Sequence, residues 1–334
     1  MPVDHQVRAW QLQGWVGGDE VTVETSLSTI QWREAAAPDG AVDQPGSVET
    51  IGDTSFTHRY AEGGNIVWHC VEAGDSGPVV LFVHGYPESW FAWHHQMAFL
   101  ARDFRCVAID LPGYGQSEKP APDEYDYDYR NVARSLAALL DNLDIGRFML
   151  VAHDRGAVVA DNLCAEPGLS DRIVKYARMQ QSGCEPHGEP RPPHELFRSP
   201  AAVEAFRDPA NVVQDAYVRN PIVAYRPDDA DLARMEKELA YPGVAEGAAA
   251  SFKSADFDAE HADRMARLFP AMTMPVLFLQ GALDRGQSPA EFAAVTDHVA
   301  NGTLQFVDAG HFLHLERPDR VSHALHAYLT YHPA

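Results

Sequence analysis

The sequence predicts an α/β protein: a mostly parallel, doubly wound sheet with a block of helices inserted before its last strands. Three observations carry this expectation. Continuous apolar runs at residues 79–83, 106–109, 148–152 and 276–279 read as central strands buried on both faces, where apolar residues need not alternate. Each run stops abruptly at a loop rich in glycine or polar residues. Between residues 182 and 270 no such run occurs, and segments with helical spacing take over.

Taken in order, residues 1–55 form an N-terminal extension. Residues 21–25 alternate like a short strand, residues 35–46 read as a linker rich in Ala, Asp, Pro and Gly, and Trp10, Trp15 and Trp32 argue against full disorder, because large aromatics need burial. The core begins at residue 56 with a strand pair turning at Glu62-Gly63-Gly64. It continues through the strands at 78–83 and 105–110, a helix at 93–100, and an amphipathic helix at 131–143 carrying Val132, Leu136, Leu139, Leu140 and Leu143 on one face. The acidic, aromatic run 123–129 reads as the solvated approach to that helix. After strands at 148–152 and 173–180, the prolines of 182–200 open the helical block 182–270, an expected cap. The strands at 276–280 and 304–307 and a closing helix at 321–331 complete the core, which thus comprises 56–181 and 271–334. Such a cap supplies a roof over the strand ends, where open α/β sheets bind ligands.

The 334 residues are 46% hydrophobic and 10% aromatic, enough for one large core. A formal net charge of −22 with no basic cluster argues against a nucleic-acid partner. No apolar run approaches the ~20 residues of a membrane span, and Met1-Pro2-Val3-Asp4-His5 has none of the features of a signal peptide. Cys70, Cys106, Cys164 and Cys184 are too widely spaced for a CxxC pair or a disulfide framework, and read as reduced thiols of a cytoplasmic protein. The expected partner is a small-molecule substrate, with a homodimer left open. No metal or cofactor is expected.

The chemistry centres on Leu150-Val151-Ala152-His153-Asp154-Arg155-Gly156-Ala157. A strand ends, a tight turn follows and a helix starts, with Ala152 and Gly156 two residues on either side of Asp154. This is the pattern of a nucleophile elbow, whose strained turn needs small flanking residues. A helix N-cap is the alternative role for Asp154. Two further residues follow late strands: Asp284 in Gly281-Ala282-Leu283-Asp284 and His311 in Asp308-Ala309-Gly310-His311-Phe312. The order nucleophile, acid, histidine brings Asp154, Asp284 and His311 to one edge of such a sheet. Backbone N–H groups of Tyr86 and Arg155 are the expected oxyanion-hole donors.

Four signatures carry a resemblance from about residue 56 onward: His84-Gly85-Tyr86-Pro87-Glu88-Ser89-Trp90, Asp110-Leu111-Pro112-Gly113-Tyr114-Gly115-Gln116-Ser117, His153-Asp154-Arg155-Gly156, and Gly310-His311-Phe312 leading into Glu316-Arg317-Pro318. The chain resembles α/β-hydrolases of the epoxide hydrolase and haloalkane dehalogenase branch. The resemblance implies that Asp154 attacks an electrophilic carbon to form an ester, and that His311, oriented by Asp284, activates the water that hydrolyses it.

The resemblance has departures. Epoxide hydrolases use two cap tyrosines as proton donors, and the register of the second falls here on Phe252-Lys253. Tyr217, Tyr225 and Tyr241 are the candidates for a donor. Haloalkane dehalogenases hold halide with an Asn and a Trp where this chain has Tyr86 and Arg155. Haloacetate dehalogenases share His-Asp-Arg-Gly, and there the Arg grips the substrate carboxylate. Their second Arg, three residues on, is Val158 here, and their acid follows the preceding strand, at Gln180-Gln181-Ser182. Glu185 is therefore the fallback for Asp284. The expected substrate-binding set is Trp90, Arg155, Tyr217, Tyr225, Phe252 and Phe312. Epoxide hydrolysis is the favoured activity. Haloacid dehalogenation is the alternative, and a non-hydrolytic small-molecule binder keeping the fold is the second alternative.

Overall fold

The computed structural model describes residues 30–181, 183–184 and 192–330. The expected strand at 21–25, Trp10, Trp15, Ser182 and the fallback acid Glu185 lie outside them. Nine strands form one sheet in the order β1-β2-β3-β5-β4-β6-β7-β8-β9. Strands β1 (Val48–Ile51), β2 (Thr54–Gly63) and β3 (Ile66–Ala73) pair antiparallel, and β3 pairs antiparallel with β5 (Arg105–Ile109). From there β4 (Val79–Val83), β6 (Phe148–His153), β7 (Ile173–Met179), β8 (Val276–Gly281) and β9 (Gly302–Val307) run parallel. Strands β4, β6 and β8 are buried at every position, which is why their sequences are unbroken apolar runs rather than alternating ones.

The helices α1 (His94–Leu100), α2 (Tyr129–Asn142) and α3 (Asp154–Cys164) connect the first parallel strands. Between β7 and β8 lie α4 (Pro192–Arg198), α5 (Ala202–Phe206), α6 (Pro209–Val213), α7 (Asp229–Leu239), α8 (Val244–Ser254), α9 (Phe257–Asp263) and α10 (Phe269–Ala271). The remainder is α11 (Val295–His298), α12 (Leu313–Glu316) and α13 (Pro318–Thr330). Because β5 and β6 flank β4 on opposite sides, the chain leaves the carboxyl ends of β4 and β6 in diverging directions, and a crevice opens there. Both the His84 loop and Asp154 sit at that point. No described helix is long and apolar enough to cross a membrane.

Two expectations need correction. The sheet starts at Val48, inside the stretch assigned to the N-terminal extension. Residues from Ile30 onward also belong to the core: Ile30 is buried, Glu34 bridges to Ala61, and the Trp32 indole donates to Glu72 at 3.0 Å. The antiparallel edge needs this cover, and short polar strands hide such a role in the sequence. The run 123–129 is also more than a solvated approach. Tyr125, Tyr127 and Tyr129 are buried, with the intervening acids outside, so the alternation marks an inward and an outward face. The four cysteines are free thiols, as expected.

Candidate active site

Asp154 has φ of 47°, the left-handed conformation that an elbow imposes on its central residue. Glycine is required on two sides of it. A Cβ on Gly156 would run into the His84 carbonyl, and one on Gly85 would lie 2.5 Å from the Asp154 Cβ. The turn therefore brings three backbone segments together, and the carboxylate faces the β4 loop instead of capping its own helix. Its Oδ1 accepts the Tyr86 N–H at 3.1 Å, and its Oδ2 lies 3.5 Å from His311 Nε2. His311 Nδ1 meets Asp284 Oδ2 at 2.9 Å. The sequence-predicted nucleophile, base and acid are in one line.

Burial disfavours the protonated form of His311, yet the charge of Asp284 and the hydrogen bond to Asp154 outweigh it and raise its pKa to about 10. Burial likewise raises Asp154, but its bond to His311 and that group's charge bring it down to about 2. Asp284 is also lowered; burial opposes this, and His311, the Gly286 N–H and the Gln180 amide prevail. The resting site is thus an imidazolium between two carboxylates. Because His311 titrates at about 10 in the fold against an ordinary 6.5, its stabilisation is complete below about 6.5 and is lost as pH rises through 10. Asp154, lowered from 3.8, contributes fully above about 3.8 and loses that contribution as pH falls through 2. Removing the Asp154 charge removes one cause of the His311 shift. Asp154→Asn should therefore move the His311 titration downward from about 10 toward the ordinary histidine value, read from its ring resonances by NMR; an unmoved titration would refute the coupling.

The loop that supplies Tyr86 is held from beneath. Glu88 Oε2 accepts the Gly85 N–H at 2.7 Å and faces His153 Nδ1 at 3.1 Å, while His153 Nε2 faces the His311 carbonyl at 3.0 Å. One buried histidine thus links the oxyanion loop to the loop carrying the base.

Above the site the cap is apolar. The Tyr86 ring packs against Phe252 at 4.8 Å edge-on, Phe206 at 5.2 Å and Phe197 at 5.3 Å. Phe312 lies 4.9 Å from the His311 ring and 4.4 Å from Tyr217, whose hydroxyl donates to the Pro87 carbonyl at 3.0 Å. Phe252, Phe312 and Tyr217 therefore join the site. Three predicted placements do not hold. Trp90 is fully buried beneath Arg234, with Phe56, His58 and Phe91 around it, because its backbone N–H is tied to Asp110 at 2.7 Å. The Tyr225 hydroxyl points to the exposed Asp308, and its ring lies under Arg317. Tyr241, the third donor candidate, directs its hydroxyl at Glu238.

Arg155 is corrected as well. Its guanidinium makes a two-pronged bond to Glu260, at 2.9 and 2.6 Å, donates Nε–H to the Tyr129 hydroxyl at 2.9 Å, and lies 4.3 Å above the Tyr129 ring. Its charge is already matched by a carboxylate of the protein.

Against known proteins, residues 78–197 match the family described as "alpha/beta hydrolase fold". The structure named Cfl2 from Burkholderia cenocepacia superposes with a TM-score of 0.70 at 27% identity, covering 82% of this chain and 95% of that one. The chain has the α/β-hydrolase fold. Its relatives in sequence include an epoxide hydrolase 2 of Siraitia grosvenorii (40% identity over 108 residues, 32% of this chain and 34% of that protein) and a haloalkane dehalogenase of Mesorhizobium japonicum (44% over 110 residues, 33% and 34%). The chain matches about a third of the length of these curated relatives. The epoxide hydrolase VrEH1 of Vigna radiata shares the fold, with a TM-score of 0.66 at 24% identity, covering 82% of this chain and 97% of that one.

Several residues of this site are not marked as functional by the sequence. Gln180, with φ of 42°, donates to Asp284 Oδ2 at 2.6 Å and accepts the Gly281 N–H at 2.6 Å, so it steadies the acid from the position where haloacetate dehalogenases carry theirs. Gln181 donates to the Asp154 carbonyl at 3.0 Å. Their place directly after β7 is the one local signal of this role. Glu260, Phe197 and Phe206 left no local mark, because only packing of the cap onto the core brings them near.

Proposed function

We propose that this protein is a hydrolase that opens an electrophilic carbon, an epoxide in the favoured reading, through an ester on Asp154. The observation that carries this is the division of labour on one carboxylate: Oδ1 is held by the Tyr86 N–H, and Oδ2 faces His311. In the first step an Asp154 oxygen attacks the ring carbon, the C–O bond breaks, and the alkoxide takes a proton from a nearby phenol. Tyr217 is the candidate donor: it is the cap tyrosine packed against Phe312, and it would exchange its bond to Pro87 for one to the substrate oxygen. In the second step water attacks the ester carbonyl, whose oxygen gathers charge against the N–H groups of Tyr86 and Arg155. Ester formation discharges Asp154, so His311 loses one of the two carboxylates that kept it protonated and passes its proton to the Tyr217 phenolate. The neutral imidazole then takes a proton from the attacking water, the acyl C–O bond breaks, and the diol oxygen is protonated as it leaves. The Asp154 carboxylate and the His311 imidazolium are thereby restored.

The haloacid alternative is disfavoured by the Arg155–Glu260 pair, which leaves that guanidinium no carboxylate to seek. Glu260→Gln should undo this: KM for a carboxylate-bearing electrophile falls about tenfold, the equivalent of one charge-assisted bond of roughly 1.5 kcal/mol, while KM for a neutral epoxide is unchanged. Steady-state kinetics with both substrates check it. The proposed mechanism is tested by isotope. Enzyme turned over in 18O water and then given one equivalent of styrene oxide in ordinary water should deliver 18O to the diol; an unlabelled product refutes the ester.

A further inference from the structure

Among the described residues, two groups of three side chains have metal-ligating atoms close enough to share an ion. Glu88, His153 and His314 are sealed in the core, where they support the oxyanion loop. The other group, His94, His95 and Asp231, joins the two parts of the molecule: the histidines begin α1 of the core, and Asp231 is in the first turn of α7 of the cap.

The geometry settles which nitrogen of His94 carries its proton. His94 Nδ1 lies 2.7 Å from the Phe91 carbonyl, which can only accept, so Nδ1 is the N–H. The ring is further held by stacking on Phe91 at 4.0 Å, nearly parallel. In a neutral imidazole Nε2 is then the lone-pair nitrogen, and it faces Asp231 Oδ1 at 3.3 Å. Two acceptors oppose each other in a place only about 5–9% exposed. His95 Nε2 reaches the second oxygen, Oδ2, at 2.8 Å, and the two imidazole rings are 3.8 Å apart. A histidine whose far N–H is fixed on a backbone carbonyl is the usual form of a metal ligand. The 3.3 Å between His94 Nε2 and Asp231 Oδ1 also matches the edge of a tetrahedron with bonds of about 2.0–2.1 Å, roughly 3.3 Å.

We propose that His94, His95 and Asp231 bind one divalent ion of the zinc class, stapling cap helix α7 to core helix α1. Two imidazoles and one carboxylate suit zinc, nickel, cobalt or copper and not magnesium or calcium, which require oxygen. His95, with 35% of its side chain exposed, leaves the site open to solvent and to a water as fourth ligand. Arg234 lies over the Phe91 ring at 4.9 Å and is matched by Glu49 and Glu238.

Untagged, chelator-treated protein titrated with zinc chloride in a calorimeter should bind one equivalent with micromolar affinity, and zinc should raise the melting temperature. His95→Ala and Asp231→Asn each weaken binding at least tenfold and abolish the thermal gain. His95→Ala is the safer variant to fold, since that side chain is partly exposed. His326→Ala, at a partly exposed imidazole on α13 paired with Asp103, leaves binding as it was. No binding by the unmodified protein, or equal binding by His95→Ala, overturns the proposal; the contact would then be a protonated histidine pair on Asp231 and no metal site.

Discussion

If Asp154 is the nucleophile of the proposed epoxide hydrolysis, Asp154→Ala lowers turnover by about 10⁵-fold or more, the scale seen when a hydrolase loses its nucleophile. His311→Gln has an equally large effect on turnover but a different signature. With Asp154 intact, one equivalent of substrate is consumed in a burst, and an ester adduct accumulates on the protein, visible as a mass increase in intact-protein mass spectrometry. The reason lies in the two oxygens of Asp154. Tyr86 holds the one that becomes the carbonyl oxygen, and attack by the other needs only an ionised carboxylate; because His311 is the main group lowering Asp154, the burst in the variant is read at a pH well above the ordinary carboxylate range. In the proposed scheme His311 is needed for the water step alone. A His311→Gln protein that neither bursts nor gains mass would refute the two-step scheme even if its turnover were gone.

Asp161→Ala costs about 3–5 kcal/mol of stability, because it leaves the Arg178 guanidinium buried without its counter-charge. Arg178 is on β7 and Asp161 on α3, and both side chains are essentially inaccessible. Nε and Nη2 of Arg178 bond to the carboxylate at 2.9–3.1 Å, the Tyr176 hydroxyl adds a bond at 3.0 Å, and Nη1 donates to the Gln181 carbonyl at 2.8 Å. Gln181 in turn holds the Asp154 carbonyl. The pair thus pins the elbow helix to the strand that positions the acid, and its loss disturbs the site as well as the fold. Denaturant unfolding measures the loss. A value below about 1 kcal/mol would mean that water reaches the arginine and that the pair is worth no more than a surface one.

The parts of the site that the sequence made legible are those written locally. A strand end, a small-residue turn and a helix start are contiguous, so Asp154 and the Gly85–Gly156 clearance around it could be read from two short stretches. Asp284 and His311 were legible for the same reason, since each closes an apolar run. The cap aromatics were legible only by resemblance, and there the reading mixed Phe252 and Tyr217, which reach the site, with Tyr225, which does not. A helix records which side is apolar and does not record what that side meets. Trp90 failed for a related reason: it belongs to a loop signature near the site, but a backbone bond to Asp110 turns its ring into the core.

By itself, the sequence determined the parallel strands, the elbow and the placing of Asp154, Asp284 and His311 at strand ends, because all of these follow from period, turn chemistry and position along the chain. The tertiary structure alone decided what surrounds them. Glu260 lies 105 residues from Arg155 and neutralises it; Gln180 lies 104 residues from Asp284 and steadies it; Asp231 lies 136 residues from His95. Charge and hydrogen bonding act over a few ångströms of space, whatever the separation along the chain. The Arg155–Glu260 pairing, which weighs against the haloacid alternative in the proposed function, was therefore decided by how the cap sits on the core.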